Sequence, residues 1–306
     1  MARKAGITGK RRASSAPIRV GVAGWDYADW KGILYPNPLP RGFDRLGFLA
    51  RLVPVIEVNS SFYGPPTAKT ARRWLKRVEE VEDFRFAAKL WQRFSHQRRT
   101  PWTREEVAET KRGLRVLLRA GRLDALVAQF PWSFRNVDEN REWLDDVRRA
   151  FEEFPLVVEV RHASWNEPDV FGWLQERGVG FVNVDQPRFK RSIGPSAHAT
   201  SHVGYIRVHG RNYSDWFRKN AGRDARYDYL YSVEELHPWV ARAKEIASEP
   251  DIESVDVVFN NHYHAQAVVN ALQFQKLLGQ EEVSAPPLLA EHFGEALSEA
   301  GIPVQG

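Results

Sequence analysis

The chain alternates short, continuously apolar runs with longer amphipathic segments along most of its length. Runs this short that are rich in Val, Ile and Phe are typical of strands buried on both faces of a parallel sheet. The pattern therefore predicts eight strands, which are Ile18–Gly24, Val53–Asn59, Phe84–Lys89, Ala125–Phe130, Leu156–Arg161, Gly180–Asp185, Tyr205–Gly210 and Val255–Asn261.

The segments between these strands carry the signals of helices. Thr103 and Glu106 have the spacing of a capping box, and Ser232 and Glu235 repeat that spacing later in the chain. Apolar residues three and four apart predict further helices around Trp74, Leu75 and Val78, around Leu144, Val147 and Phe151, and around Trp173 and Leu174. Residues 186–202, after the sixth strand, contain two prolines and no helical period, so a loop or a single turn is expected there.

Eight strands that alternate with helices over about 250 residues predict an α/β fold, the (β/α)8 TIM barrel, with an irregular sixth unit. An open doubly wound sheet is the alternative, but no G-x-G-x-x-G follows the first strand to support a dinucleotide site. We expect one barrel domain over residues 17–279, preceded by a flexible basic tail over residues 1–16. Residues 280–306 are expected to form a C-terminal tail that contains a candidate short helix at "PLLAEHFGEAL".

Composition narrows the chemistry that the chain can perform. Cys is absent, which excludes disulfides, thiolate nucleophiles and cysteine-ligated metal centres. The formal net charge of +5 favours anionic partners, but it arises from 44 basic against 39 acidic residues, so a solvated surface explains it equally well. No apolar run has the length of a signal peptide or a membrane span, and we expect a cytoplasmic protein with no membrane partner. The oligomeric state and any cofactor stay open.

Polar side chains stand at the carboxyl ends of the predicted strands, as in the stretch "EVNSSFYG" that begins at Glu57. TIM barrels assemble their active sites at this end, and side chains two apart on a strand share a face. We therefore predict one central pocket. Its candidate catalytic residues are Glu57, Lys89, Glu159 and His209, and its candidate binding residues are Trp25, Tyr27, Asn59, Tyr63, Arg161, Arg207, Asn260 and Asn261.

Each charged candidate also has a structural interpretation. Glu159 can pair with Arg161 or Arg207 as a salt bridge at the barrel mouth. Lys89 can neutralise Glu57 in the same way. The histidine of the seventh strand is as compatible with a hydrogen-bonded structural role as with proton transfer, and the aromatic rings of "GWDYADW" can pack the rim instead of stacking on a ligand.

A series of motifs in the same order resembles one known family. The motifs are "GWDYADW", "EVNSSFYG", "FAAKLWQRFSH", "EVRHASW", "YIRVHGR" and "FNNHYHAQAVVNA". In them the chain resembles the YecE-like family, known as domain of unknown function 72, over about Ile18 to Leu278. The resemblance implies a TIM barrel with no settled activity, and it implies that the family positions are Trp25, Tyr27, Glu57, Asn59, Phe62, Tyr63, Lys89, His96, Glu159, Arg161, Trp165, Arg207, His209, Asn260, Asn261 and Asn270.

One position departs from that resemblance. Shortly after the paired asparagines, where the family usually has a glycine, this chain has Ala265. If the backbone at that helix start approaches a ligand, we expect the methyl group to narrow the site.

The first functional hypothesis is an enzyme, such as a hydrolase, lyase or isomerase, that acts on an anionic, phosphate-bearing small molecule. The lysine and arginine candidates would clamp the anion, and the asparagines would orient it by hydrogen bonds. Glu57 or Glu159 would serve as the general base, and His209 or Lys89 as the general acid.

Two alternatives remain open. A divalent-metal-dependent phosphodiester hydrolase would use Glu159, Asp185 and His209 as ligands, although neighbouring arginines compete for the same carboxylates. A non-catalytic nucleic-acid-binding protein would use "KLWQRFSHQRRTPWTR", residues 89–104, where arginines interleave with aromatic rings. The structural interpretation of that stretch is a loop that packs its rings and solvates its arginines.

Overall fold

The computed structural model describes residues 15–214 and 225–306. Within these residues, eight parallel strands form a closed barrel in sequence order, and the last strand pairs with the first. The strands are β1 (Ile18–Ala23), β2 (Val55–Val58), β3 (Arg85–Lys89), β4 (Leu123–Gln129), β5 (Leu156–Glu159), β6 (Gly180–Asp185), β7 (Val203–Val208) and β8 (Ser254–Phe259). The chain is therefore a (β/α)8 TIM barrel, which confirms the predicted fold.

Most of the α-helices follow one strand each and pack around the barrel. They are α1 (Arg45–Ala50), α2 (Ala68–Arg77), α3 (Arg104–Arg119), α4 (Asp138–Ala150), α5 (Pro168–Gln175), α6 (Val233–Ala247), α7 (Gln266–Leu277) and α8 (Pro287–Glu299). Both predicted capping boxes are present, because the hydroxyls of Thr103 and Ser232 accept from the backbone N–H groups of Glu106 and Glu235. The sequence pattern does not predict α1, since its 6 residues are too few to show a helical period.

The connection between β6 and β7, residues 186–202, contains no helix, which confirms the prediction of an irregular sixth unit. The side chain of Asn183 on β6 holds this connection in place. Its Oδ1 accepts from the Ser196 hydroxyl at 2.7 Å and from the His198 N–H at 2.9 Å, and its Nδ2 donates to the His198 carbonyl oxygen at 2.9 Å. These bonds satisfy backbone groups that a helix would otherwise satisfy internally.

Apolar side chains fill the space between the barrel and the helices. Leu114 and Leu117 of α3, Trp239 of α6 and Phe274 of α7 are all buried there. The carboxyl end of the barrel interior is different, because polar side chains occupy it and are buried as completely as the apolar core.

The C-terminal segment packs on the barrel through α8, the helix predicted at "PLLAEHFGEAL". Leu289 and Leu297 are buried, and the Gln273 amide of α7 donates to the Ala296 carbonyl oxygen at 2.8 Å. The predicted basic tail lies, up to residue 14, outside the described residues. In the described part of the chain, no helix is long and apolar enough to cross a membrane.

Candidate active site

Arg207 of β7 stands at the centre of the polar cluster. Its Nη2 lies 2.6 Å from Glu57 Oε1 on β2, and its Nη1 lies 2.7 Å from Glu159 Oε2 on β5. The same Nη1 donates to Gln129 Oε1 on β4 at 3.0 Å, and the Tyr205 hydroxyl donates to Glu57 Oε2 at 3.0 Å. One guanidinium group therefore joins four strands across the barrel, and two carboxylates compensate its charge.

Both candidate catalytic carboxylates are fully buried. Glu159 pairs with Arg161 and Arg207, which confirms the salt-bridge interpretation of this residue. Although burial acts to raise the pKa of Glu159, the two guanidinium groups hold it well below its usual range. Glu57 pairs with Arg207, and among the described residues no ion pair joins it to Lys89.

His209 lies between charged and amide groups just beyond the end of β7. Its Nε2 is 3.0 Å from Arg161 Nη2 and 3.2 Å from Glu159 Oε1, and its Nδ1 is 3.0 Å from Asn260 Nδ2. Burial and then the charge of Arg161 lower the pKa of His209 to about 3, so the ring is neutral near pH 7. These contacts favour the structural interpretation, and a role as general acid stays a prediction.

Lys89 at the end of β3 has a different environment from the other charged groups. Its ammonium nitrogen lies 4.2 Å from the centroid of the Phe62 ring. This nitrogen forms no hydrogen bond or ion pair with residues 15–214 or 225–306. Burial and then the charge of Arg207 lower the pKa of Lys89 to about 7, so roughly half of the molecules carry a neutral amine at pH 7.

A cavity of about 320 Å³ opens above this cluster at the barrel mouth. Half of the predicted site residues line it, and these are Tyr27, Asn59, Tyr63, Lys89, Arg207 and Asn260. The wall does not include Arg161, Glu57, Glu159 or His209. Of these four residues, the two glutamates and the histidine lie beneath the cavity in the buried network. The strand ends therefore do converge on one pocket, although the carboxylates do not face it.

Aromatic rings form one wall of the cavity. The ring of His262 lies between Tyr27, at 4.2 Å and nearly parallel, and Tyr227, at 4.7 Å. The Tyr27 hydroxyl donates to the Ala23 carbonyl oxygen at 2.7 Å, and the Asn59 amide donates to that hydroxyl at 3.2 Å. Burial raises the pKa of Tyr27 above its ordinary value, so its ring is an uncharged stacking surface near neutral pH.

Besides Arg161, two predicted binding residues do not line the cavity. The Trp25 ring packs edge-to-face on Trp74 of α2, with 5.6 Å between ring centroids. Asn261 is fully buried, and its amide donates to the Tyr229 carbonyl oxygen and to Asn270 Oδ1, both at 2.8 Å. Asn261 therefore helps to hold the chain segment before α6 and is not placed to contact a ligand.

Sequence reasoning missed several residues that complete the cavity wall. Gln92 belongs to a single helical turn three residues after Lys89, and its closeness to a strand end was an available signal. Arg226 and Tyr227 come from a short turn in the long connection between β7 and α6, where no local pattern indicates the direction of a side chain. The rest of the wall consists of Phe62, His96, Gln129 and His262.

The three residues predicted as metal ligands do not converge on one point, although Glu159 Oε1 lies 3.2 Å from His209 Nε2. Asp185 accepts from Arg211 Nε at 2.9 Å and from the Tyr231 hydroxyl at 2.5 Å, whereas the other two predicted ligands contact Arg161. In the described ranges, no group of three or more His, Cys, Asp or Glu residues is close enough to hold a metal ion. These positions do not fit the metal centre in the form that the sequence suggested.

The aromatic rings of residues 89–104 are used for packing. Phe94 is buried, with its ring 4.9 Å from Phe151 and 5.3 Å from Trp102. Trp102 meets Trp143 edge-on at 4.6 Å, and Arg93 donates to backbone carbonyl oxygens within its own loop. The packing of the rings matches the structural interpretation of the stretch, whereas Arg93 is buried and hydrogen-bonded and not solvated.

Ala265 has a left-handed backbone conformation, with φ 63° and ψ 12°, at the start of α7. Its side chain is fully buried and does not line the cavity. A glycine adopts this conformation without steric cost, so the backbone geometry alone accounts for the glycine that the family resemblance implies at this position. The expected narrowing of a ligand site by the methyl group therefore has no support in this geometry.

The closed barrel and the polar cavity at its carboxyl end define a TIM-barrel protein with a candidate ligand site in the usual position for this fold. The sequence profile described as protein of unknown function DUF72 matches residues 19–292, and the chain belongs to this family. The UPF0759 protein YunF of Bacillus subtilis is 28% identical over 289 residues, which cover 90% of this chain and 100% of YunF.

Solved structures give the same assignment. A DUF72 family protein from Thermotoga maritima has a TM-score of 0.72 and 30% identity, over 86% of this chain and 99% of that one. A DUF72 family protein from Enterococcus faecalis has a TM-score of 0.74 and 25% identity, over 86% of this chain and 96% of that one. These relatives confirm the family resemblance and the barrel, and their names state no substrate.

Proposed function

We propose that this chain is an enzyme that binds a small anionic molecule in the mouth cavity and acts on it by acid/base chemistry, with Lys89 as the proton-transfer group. One observation carries this proposal. Among the described residues, the cavity wall contains one lysine and two arginines, Lys89, Arg207 and Arg226, together with two histidines, and no Asp or Glu. A concave site with one sign of charge concentrates ligands of the opposite sign.

The source of the excess positive charge can be assigned. Arg207 is compensated by two carboxylates, whereas Lys89 forms no ion pair with a described residue, so its ammonium form provides positive charge that an anion would meet. Asn59 and Asn260 add amide groups on the same wall. An amine, a guanidinium and amides together suit a phosphate group, which offers several strong acceptor oxygens. A phosphate-bearing small molecule is therefore the substrate class that we propose.

Lys89 is better placed than the other candidates to move a proton. It lines the cavity, and its pKa of about 7 lets it accept a proton as a base near neutral pH. A bound anion would raise that pKa by Coulomb attraction, so the same amine could then return the proton as an acid. In this proposal Glu57 and Glu159 hold Arg207 in place and do not touch the substrate.

Thermal unfolding with added ligands tests the proposal. The purified chain is heated with inorganic phosphate, with sugar phosphates and with the corresponding uncharged sugars. A ligand at about 100 times its Kd adds about 2.7 kcal/mol, which raises the midpoint by several degrees. We expect a phosphate compound to stabilise the wild-type chain and the uncharged sugar to have no effect.

Two variants test whether the ligand-induced shift of the unfolding midpoint depends on Lys89. Lys89→Met should lose most of the ligand-induced shift, whereas Lys69→Met, which removes an exposed lysine of α2, should keep it. Stabilisation that is equal in both variants, or that also occurs with uncharged sugars, would contradict an anion site at Lys89.

A further inference from the structure

The charges beneath the cavity balance without Lys89. Glu57 and Glu159 supply two negative charges, and Arg161 and Arg207 supply two positive charges. No carboxylate of this network remains to pair with the lysine. A part-buried ammonium group with no counter-ion is unfavourable, so the neutral amine is the form that this environment supports.

The surroundings of the lysine nitrogen also suit a nucleophile. One side of the amine faces the Phe62 ring at 4.2 Å, and Lys89 itself lines the cavity. Across the described residues, its nitrogen donates to no acceptor that would occupy it. With a pKa of about 7, the neutral fraction at pH 7 is on the order of a thousand times that of an ordinary lysine.

We propose that Lys89 is the covalent nucleophile of this site and forms a Schiff base with an aldehyde or ketone that also carries an anionic group. This inference rests on the proposed function, because the positive cavity wall would hold the anionic end while the amine reacts with the carbonyl group. The uncharged amine of a lysine in an apolar setting beside other cations is an established kind of activated nucleophile.

The covalent step balances without any co-reactant. The amine nitrogen adds to the carbonyl carbon, and the carbonyl oxygen leaves as water together with the two hydrogens of the amine. The product is a C=N bond between the substrate carbon and Nζ of Lys89. Borohydride then delivers hydride to that carbon, and the nitrogen takes a proton from water, which gives a stable secondary amine.

Reductive trapping tests the inference on the full chain. The protein is incubated separately with pyruvate, glyoxylate, glyceraldehyde 3-phosphate and uncharged glyceraldehyde, and sodium borohydride is then added. Intact mass and peptide mapping give the number and position of the adducts. We expect an anionic carbonyl compound to label Lys89 on the order of tenfold or more faster than Lys69, with a rate that rises through about pH 7.

Variants and a carbonyl-free ligand separate the outcomes. Lys89→Arg keeps a positive charge but cannot form the imine, so this variant should lose the adduct at position 89 while circular dichroism shows a folded chain. Lys69→Met should retain the adduct at Lys89. Equal labelling of Lys89 and Lys69 by every probe, or an adduct that survives in Lys89→Arg, would overturn the inference. If glycerol 3-phosphate still stabilises the chain through Lys89 without any Lys89 adduct, the Schiff base is wrong and the anion site stands. If neither is seen, both proposals fall.

Discussion

Ala265 places a side chain where the backbone φ is 63°, and an L-residue costs about 1–2 kcal/mol in the left-handed region. Glycine removes that cost but gains entropy in the unfolded chain, which offsets part of the benefit. We expect Ala265→Gly to raise the free energy of unfolding by about 0.5–1 kcal/mol, measured by urea denaturation. Ala271→Gly, in the middle of the same helix, is the matched control and should lower it by about 1 kcal/mol or more. A loss of stability in both variants would show that the left-handed backbone conformation does not determine the effect of the substitution at Ala265.

Lys89 makes stability depend on pH with a defined sign. The unfolded chain keeps this proton up to about pH 10.4, whereas the folded chain releases it near pH 7. Because the unfolded state binds more protons over that interval, the folded state gains stability as the pH rises through it. Lys89→Met removes the effect, so its melting temperature relative to wild type should be highest near pH 6 and should fall by several degrees towards pH 10. A difference between the two that does not change with pH would contradict the lowered pKa.

At the scale of elements, local patterns predicted the strands because each of them is a short apolar run buried on both faces. They also predicted the irregular sixth unit, since prolines and the lack of a period are local features. The pairing of Arg207 with Glu57 and Glu159 joins residues on three different strands, and the sequence could offer it only as one of several combinations. The placement of Arg226 was not predictable at all, because a long connection carries no periodic signal.

The connection between β6 and β7 is held in place by the buried side chain of Asn183, so removal of that side chain should loosen it. Asn183→Ala should leave the backbone groups of His198 and the hydroxyl of Ser196 without their partner, and each unsatisfied buried group costs about 1–3 kcal/mol. We expect a loss of at least about 2 kcal/mol in the free energy of unfolding, together with faster amide exchange in residues 186–202. Asn166→Ala at an exposed position is the control and should change stability by less than about 0.5 kcal/mol. Unchanged exchange in the connection would show that Asn183 does not hold it.

Buried carboxylates are paired differently at the two ends of the barrel. At the carboxyl end, each buried carboxylate of the network pairs with at least one arginine. Near the amino ends of the strands, Asp256 is fully buried, and neither of its carboxylate oxygens has a hydrogen-bond partner among the described residues. The arginine nearest along the sheet, Arg19, instead pairs with Asp124 at 2.8 Å.

This contrast predicts which end of the barrel can be stabilised. Burial and then the charge of Asp124 raise the pKa of Asp256 well above its usual value, with the arginines of β1 and β3 acting more weakly in the opposite direction. A raised folded pKa means that the folded state binds the proton more tightly, so the contribution of Asp256 to stability is greatest below about pH 4 and is lost as the pH rises from there. Asp256→Asn cannot ionise, and we expect it to exceed wild type by about 1–3 kcal/mol in urea denaturation at pH 8 and to match it near pH 4. Asp146→Asn on the exposed face of α4 is the control and should show no such gain in stability. If the wild-type chain is more stable than Asp256→Asn at pH 8, the ionised Asp256 is compensated and the prediction is wrong.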